Sequence, residues 1–227
     1  MDDLVARLAD VDARIAAAAR VAGRDPAAIT RIVVTKFHPA QLVARLHRLG
    51  VRDLGENRQQ ELSAKRAELA ALTDLRWHFI GQAQTKKARA IRAAASVVHS
   101  VDRDKLADAL DRAADGDDVL DVLVQVNLTA DPDRGGVAPA GIEALAEHVA
   151  GCRTLQLRGV MAVAPLDEPP AAAFARLAGY AARLRRVVPD ADWISAGMTA
   201  DFAEAIAAGA THLRIGSAIT GARPVPD

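Results

Sequence analysis

The 227-residue chain is poor in aromatics, at 3% of residues, so a core has to be built from Ala, Val, Leu and Ile. It has one cysteine, Cys152. That excludes an internal disulfide and fits a reducing compartment. It has no charge of one sign to spare, with 29 basic and 29 acidic residues. Proteins that bind polyanions draw on a basic surplus, so no nucleic acid partner is expected. It has no run of about 18 apolar residues, so no membrane partner is expected. Its first residues, MDDLVARLADVDARIAAAAR, open on acids and are broken by charge, unlike a signal peptide. The expected location is cytoplasmic.

What is present is an alternation of short apolar runs with longer amphipathic stretches. Leu4, Leu8, Val11 and Ile15 predict an opening helix within residues 1–22. Asp25-Pro26 reads as an N-cap followed by proline at the first helical position. Strands are expected at 31–36, 52–55, 77–80, 97–100, 120–127, 156–162, 192–195 and 211–215. Residues 39–49 read as a helix with Gly50 just past its end, and residues 142–149 and 174–184 carry the same helical spacing. Parallel strands need crossover helices, and short apolar strands suit a sheet buried on both faces. Eight such units fit a closed (β/α)8 barrel better than an open doubly wound sheet. One domain over 1–227 is expected, with a mobile loop at 130–139 and an irregular tail at 223–227.

In such a barrel chemistry sits at the C-terminal ends of the strands. Lys36 closes the run Ile32-Val33-Val34-Thr35. A lysine amine attacks an aldehyde only when neutral; at a free pKa of roughly 10.4, about one in a few thousand is neutral at pH 7, and burial would raise that fraction. Taken alone, a solvated strand-end lysine is the commoner case. Ser195-Ala196-Gly197-Met198-Thr199 and Arg214-Ile215-Gly216-Ser217-Ala218 each lead into a helix after strands seven and eight, where barrels place phosphate sites. Ordinary glycine turns would look similar. Asn57, Asn127 and Met161 also follow strands. His78, between apolar neighbours, reads as a hydrogen-bonded core histidine. Asp201 and Glu204 read as first-turn helix charges. Lys86, Lys87, Arg89 and Arg92 read as a solvated basic face. Six scattered histidines and one cysteine show no metal-ligand spacing.

Taken together, Val33-Val34-Thr35-Lys36, Gly55-Glu56-Asn57, Trp77-His78-Phe79-Ile80-Gly81 with Gln84 and Lys87, Val126-Asn127, Arg158-Gly159-Val160-Met161-Ala162, Ser195 to Asp201 and Arg214 to Ile219 form a series. In that order they resemble the pyridoxal-phosphate homeostasis proteins (YggS-like or PROSC-like), whose fold is similar to the N-terminal barrel of alanine racemase. The resemblance implies pyridoxal 5′-phosphate, a vitamin B6 form, as cofactor, held as a Schiff base on Lys36. It implies Ser195, Gly197, Met198, Gly216 and Ser217 at the phosphate, Arg214 at the pyridine nitrogen, and Asn57 and Met161 lining the ring pocket. Thr35, Arg58, the segment 82–87, Arg134-Gly135-Gly136 and Thr220 depart from the usual pattern.

The expected role is intracellular storage, delivery or buffering of the cofactor rather than catalysis, with cofactor-dependent apo-enzymes as partners and a monomer as default. An arginine at the pyridine nitrogen disfavours its protonation and weakens the ring as an electron sink. The tyrosine that racemases of similar fold take from a second domain has no evident counterpart. A cofactor-dependent enzyme acting on amino acids is the alternative; a phosphosugar isomerase would leave Lys36 unexplained.

Overall fold

The structure is a computed structural model, and it describes residues 3–131 and 133–222. The predicted tail at 223–227 lies outside these. Eight strands close into a barrel in chain order: β1 (Thr30–Val34), β2 (Asp53–Glu56), β3 (Arg76–Phe79), β4 (Val97–Val101), β5 (Leu120–Gln125), β6 (Leu155–Met161), β7 (Trp193–Ser195) and β8 (His212–Ile215). All pairings are parallel, and β1 closes the ring on β8 through Val33 beside Ile215. The helices are α1 (Asp3–Val21), α2 (Ala40–Arg48), α3 (Gln59–Glu68), α4 (Ala88–Ala94), α5 (Asp104–Arg112), α6 (Ile142–Ala150), α7 (Pro170–Val187), α8 (Phe202–Ala207) and α9 (Ser217–Thr220). The open-sheet alternative is thereby excluded. Each predicted strand is present, displaced by at most two residues at its ends. β1 stops at Val34, which puts Lys36 in the following turn rather than on the strand.

Side chains alternate across each strand. Val98, Val122 and Val124 turn outward and share the main core with helix residues such as Leu106, Leu110 and Ile142. Val97, Leu123 and Met161, with Trp193 against them, form a separate small cluster, which places them in the lumen. α1 buries Leu4, Leu8, Val11 and Ile15 and packs on α8 and α9. Arg24 fixes its end by donating to Ala210 O at 2.6 Å. Asp25 caps a short 3-10 turn at Pro26–Ala28, as its Asp-Pro pair predicts. Gly50 adopts φ +87° just past α2, the left-handed conformation that a side chain resists.

Below the mouth the lumen is polar. Asp121 on β5 accepts from Arg76 of β3 at 2.7 Å and from Arg158 of β6 at 2.6 Å. Both guanidiniums lie over the Trp193 ring, at 4.8 and 5.5 Å from its centroid. A β-bulge makes this possible. The β5–β6 register shifts between Val122 and Leu123, where Gly159 takes φ +151°. Arg158 and Met161 are three residues apart and would otherwise face opposite sides; the extra residue turns both inward.

Candidate functional site at the barrel mouth

The nine residues singled out for the site fall on one arc of five adjacent strands. Met161 ends β6 and pairs with Ser195, the end of β7. Ser195 pairs with His212 of β8, which carries Arg214 and leads to Gly216 and Ser217. β8 pairs with β1, which leads to Lys36, and β1 pairs with β2, which leads to Asn57. Lys36 therefore sits between the Gly216–Ser217 loop on one side and the Asn57 loop on the other. The Arg214 N–H donates to Gly197 O at 3.0 Å, tying the last two loops together.

Lys36 itself is exposed, but the turn carrying it is anchored below. Thr35, Glu56 and Lys65 are buried together, with 0%, 0% and 5% of their surface exposed. Lys65 reaches inward from α3 and donates to Glu56 Oε1 at 2.5 Å and to Thr35 O at 2.8 Å. Thr35 Oγ1 donates to the same carboxylate oxygen at 2.6 Å. Burial raises the Glu56 carboxyl above its usual range, and Lys65 opposes that shift. Phe37 follows with φ +68°, a conformation that costs a bulky residue about 1–3 kcal/mol. Its N–H is held by Glu61 Oε2 at 2.8 Å. Arg58, one of the departures from the family pattern, packs over the Phe37 ring at 5.0 Å.

The structure distributes the other candidates unevenly. Gly197 takes φ +89°, and a Cβ there would stand 2.7 Å from the Ala205 methyl, so the loop needs glycine. A Cβ on Gly216 would meet only Val34, at 3.7 Å, so this loop has an open side. Ser217 begins α9, whose first N–H groups have no acceptor within the helix. Two of the residues assigned to phosphate are already engaged. The Ser195 hydroxyl is fully buried between His99 Nδ1 at 2.9 Å and Arg214 Nη1 at 2.7 Å. The Met198 N–H donates to Asp201 Oδ1 at 2.6 Å. Met161 lies in the floor under the mouth, 1% exposed. Asn127 organises the next loop instead of facing the arc. It donates to Asp131 O and Arg134 O and accepts from Thr129, while Gln125 donates to Gly135 O. In the described part of the segment 130–139, Asn127 and Gln125 hold the loop backbone, and a bridge joins Val126 to Val137.

Three histidines lie inside the barrel. His78 is a hydrogen-bonded core residue, as its apolar neighbours predict, between Asp53 Oδ1 and His99 Nε2, both at 2.9 Å. Burial holds His78 below its usual pKa and His99 well below it, and pushes His212 down to about 3. A histidine with a depressed folded pKa takes up a proton on unfolding. Its stabilising contribution is therefore complete above the unfolded value near 6.5 and declines as pH falls through it. For His212 alone the loss between pH 7 and pH 5 comes to about 2 kcal/mol. The urea midpoint should fall over that interval; an unchanged midpoint would show that these histidines titrate alike in the folded and the unfolded chain.

Several polar residues stand differently from their reading in sequence. Arg92 is not a free basic-face residue: it donates to Leu110 O at 3.2 Å, to Thr154 O and to Asp118 O. Asp201 is the N-cap of α8, 8% exposed. Asp108 on α5, His148 on α6 and Cys152 in the turn after α6 offer ligand atoms within 4.8 Å of one another, a grouping hidden by scattered spacing. His148 already pairs with Asp108 at 2.7 Å, and burial with three nearby aspartates drives the Cys152 thiol up to about 11, so it stays protonated. Lys65 and His99 went unsignalled: a lysine in a polar helix reads as solvated, and only barrel closure brings β4 against β7.

Comparison with known proteins identifies the family. The sequence matches the family described as alanine racemase, N-terminal domain, over residues 7–224. The pyridoxal phosphate homeostasis protein of Pseudomonas aeruginosa is 44% identical over 228 residues, covering 98% of this chain and 97% of its own. The Escherichia coli K12 protein of the same name is 37% identical over 229 residues, covering 98% of each. The chain belongs to the pyridoxal phosphate homeostasis family. PipY of Synechococcus elongatus, a structure solved with PLP bound, shares 36% identity at a TM-score of 0.80 and covers 91% of this chain and all of its own. Alanine racemase from Corynebacterium glutamicum shares the fold at a TM-score of 0.68 and 13% identity, matching 60% of that chain. In the barrel the segments at Lys36, 195–201 and 214–219 follow three adjacent strands, β1, β7 and β8. No described helix is long and apolar enough to cross a membrane.

Proposed function

We propose that the chain holds pyridoxal 5′-phosphate at the barrel mouth, covalently through Lys36, and serves to store, deliver or buffer it. The observation that carries this is the position of Lys36 between the open Gly216–Ser217 loop and Asn57, with the buried Arg214 cation on the adjoining strand. The donor set fits a phosphorylated aldehyde on an aromatic ring. Ser217 and the leading amides of α9 suit the phosphate; with Ser195 and Met198 N–H engaged elsewhere, they are its main donors alongside the Gly197 loop. Asn57 and Met161 suit the sides and floor of the ring. When bound, the group supplies an aldehyde that condenses with the lysine amine and releases one water.

The chain's own residues do the rest. Lys65 and Glu56 fix the turn through Thr35 O, so the Lys36 side chain starts from a set position. Arg214 stays a cation at neutral pH even though burial brings it down to about 10. A cation facing the pyridine nitrogen disfavours its protonation, which supports a carrier over an amino-acid enzyme. Tyr180, the only tyrosine, sits on α7 against Arg183. Mixing the protein with pyridoxal phosphate should give a visible absorption band that Lys36→Ala loses or moves. Holoprotein incubated with amino acids in deuterated water should show no sustained α-proton exchange; robust turnover would make it an enzyme. Holoprotein should also reactivate a cofactor-free pyridoxal-phosphate enzyme.

A further inference from the structure

Five buried or half-buried side chains form one unbroken hydrogen-bonded line through the lumen: Arg214, Ser195, His99, His78 and Asp53, joined at 2.7, 2.9, 2.9 and 2.9 Å. They come from β8, β7, β4, β3 and β2, and the step from β4 to β7 crosses the barrel, because β5 and β6 lie between those strands. Asp53 is the first residue of β2 and Ser195 the last of β7, so the line runs from the base of the barrel to its mouth. At the base Asp53 lines a cavity of about 520 Å³ with Asp12 and Arg31.

The direction of every proton in the line follows from its two ends. Burial opposes the Asp53 charge, but the His78 hydrogen bond and the nearby Arg76 guanidinium outweigh it, and the carboxyl lies below its usual range. An ionised carboxylate only accepts, so His78 Nε2 carries the hydrogen. His78 is neutral, so its Nδ1 accepts from His99 Nε2. His99 Nδ1 then accepts from the Ser195 hydroxyl, whose oxygen accepts from Arg214 Nη1. All donors point from mouth to base, and reversing the line would require a protonated Asp53.

We propose that Asp53, His78 and His99 are positioning residues for Arg214. The directed line, with the second Arg214 bond to Ala162 O at 2.7 Å, holds the guanidinium toward the ring of the bound cofactor. The base of the barrel thereby sets the electrostatics at its mouth. This rests on the cofactor reading above. Other charged groups around the line are His212, whose ring centre is 6.4 Å from that of His78, Arg76, and Asp201 beside Arg214.

The test is a pH titration of the visible band of holoprotein, with Lys36 labelling checked in each variant. In Asp53→Asn the carboxamide can donate as well as accept, so the line loses its fixed direction; when it reverses, the Ser195 oxygen has to accept from His99 as well as from Arg214, which loosens the hold on the guanidinium. A cation turned from the ring raises the ring's proton affinity. The apparent pKa should rise by about one unit, a tenfold change in proton affinity. Removing a negative charge through simple field effects would lower it, so the sign separates the two causes. His99→Leu, which changes no charge, should raise it likewise, and His99→Gln, which can both donate and accept, should restore it. Asp121→Asn, which removes a charge from the neighbouring lumen cluster but lies off the line, should leave it unmoved or lower it. A downward or absent shift in labelled Asp53→Asn overturns the proposal, as does an equal upward shift in Asp121→Asn. Where Asp53→Asn does not fold, the His99 pair decides by the same criterion. Wild-type protein unlabelled at Lys36 would instead defeat the cofactor reading itself.

Discussion

Lys65→Met is expected to destabilise the protein by about 3–5 kcal/mol, a large part of the stability of an ordinary domain. Lys65 is 5% exposed and Glu56 fully buried. Removing the ammonium leaves a carboxylate in the interior with only the Thr35 hydroxyl on one oxygen, and the other oxygen, Oε2, already has no partner. The penalty belongs to the stranded charge more than to the lost contact. Adding Glu56→Gln should therefore recover more than half of the loss, since the amide carbonyl can still accept from Thr35. Urea unfolding of the two single variants and the double variant measures this directly. Simple additivity of the two single effects would mean that the ion pair is not what anchors the turn before Lys36.

Gly159→Ala should have an effect at least as large. A Cβ there would stand 1.9 Å from Trp193 O and 2.7 Å from its carbonyl carbon, on a backbone at φ +151°. Neither atom belongs to a flexible side chain, so β6 and β7 would have to part where Gly159 pairs with Trp193. We expect a loss of more than about 4 kcal/mol, the range reserved for broken buried networks and backbone strain. The bulge would be lost with it, and with the bulge the inward aim of Met161 at the floor of the mouth. Gly179→Ala on α7 is the control: nothing lies within 4 Å of its added Cβ, and the change should be neutral or stabilising by up to about 1 kcal/mol. Thermal unfolding that ranks the two variants alike would contradict the bulge argument.

The barrel was readable because its strands are short apolar runs separated by helical spacing, and both patterns follow from burial. The rim was readable as far as loop position goes: Gly197 and Gly216 sit where the close approach and the open loop side need them. What lies under the rim was not. Lys65 looks like any lysine in a polar helix, and its inward turn depends on Glu56 arriving from β2. His99 gives no sign that it meets Ser195, 96 residues away in sequence. Ser195 read as a phosphate donor for the same reason: its partner across the lumen exists only once the barrel has closed. Local pattern reports which face a residue occupies, whereas these contacts depend on which strands end opposite one another.

Lys36 is the residue proposed to carry the cofactor. Holoprotein reduced with borohydride, digested and mapped by mass spectrometry tests it most directly. One phosphopyridoxyl group is expected, on the peptide containing Lys36. Reduced protein without the label, or with the label confined to another lysine such as Lys86 or Lys87, would contradict it.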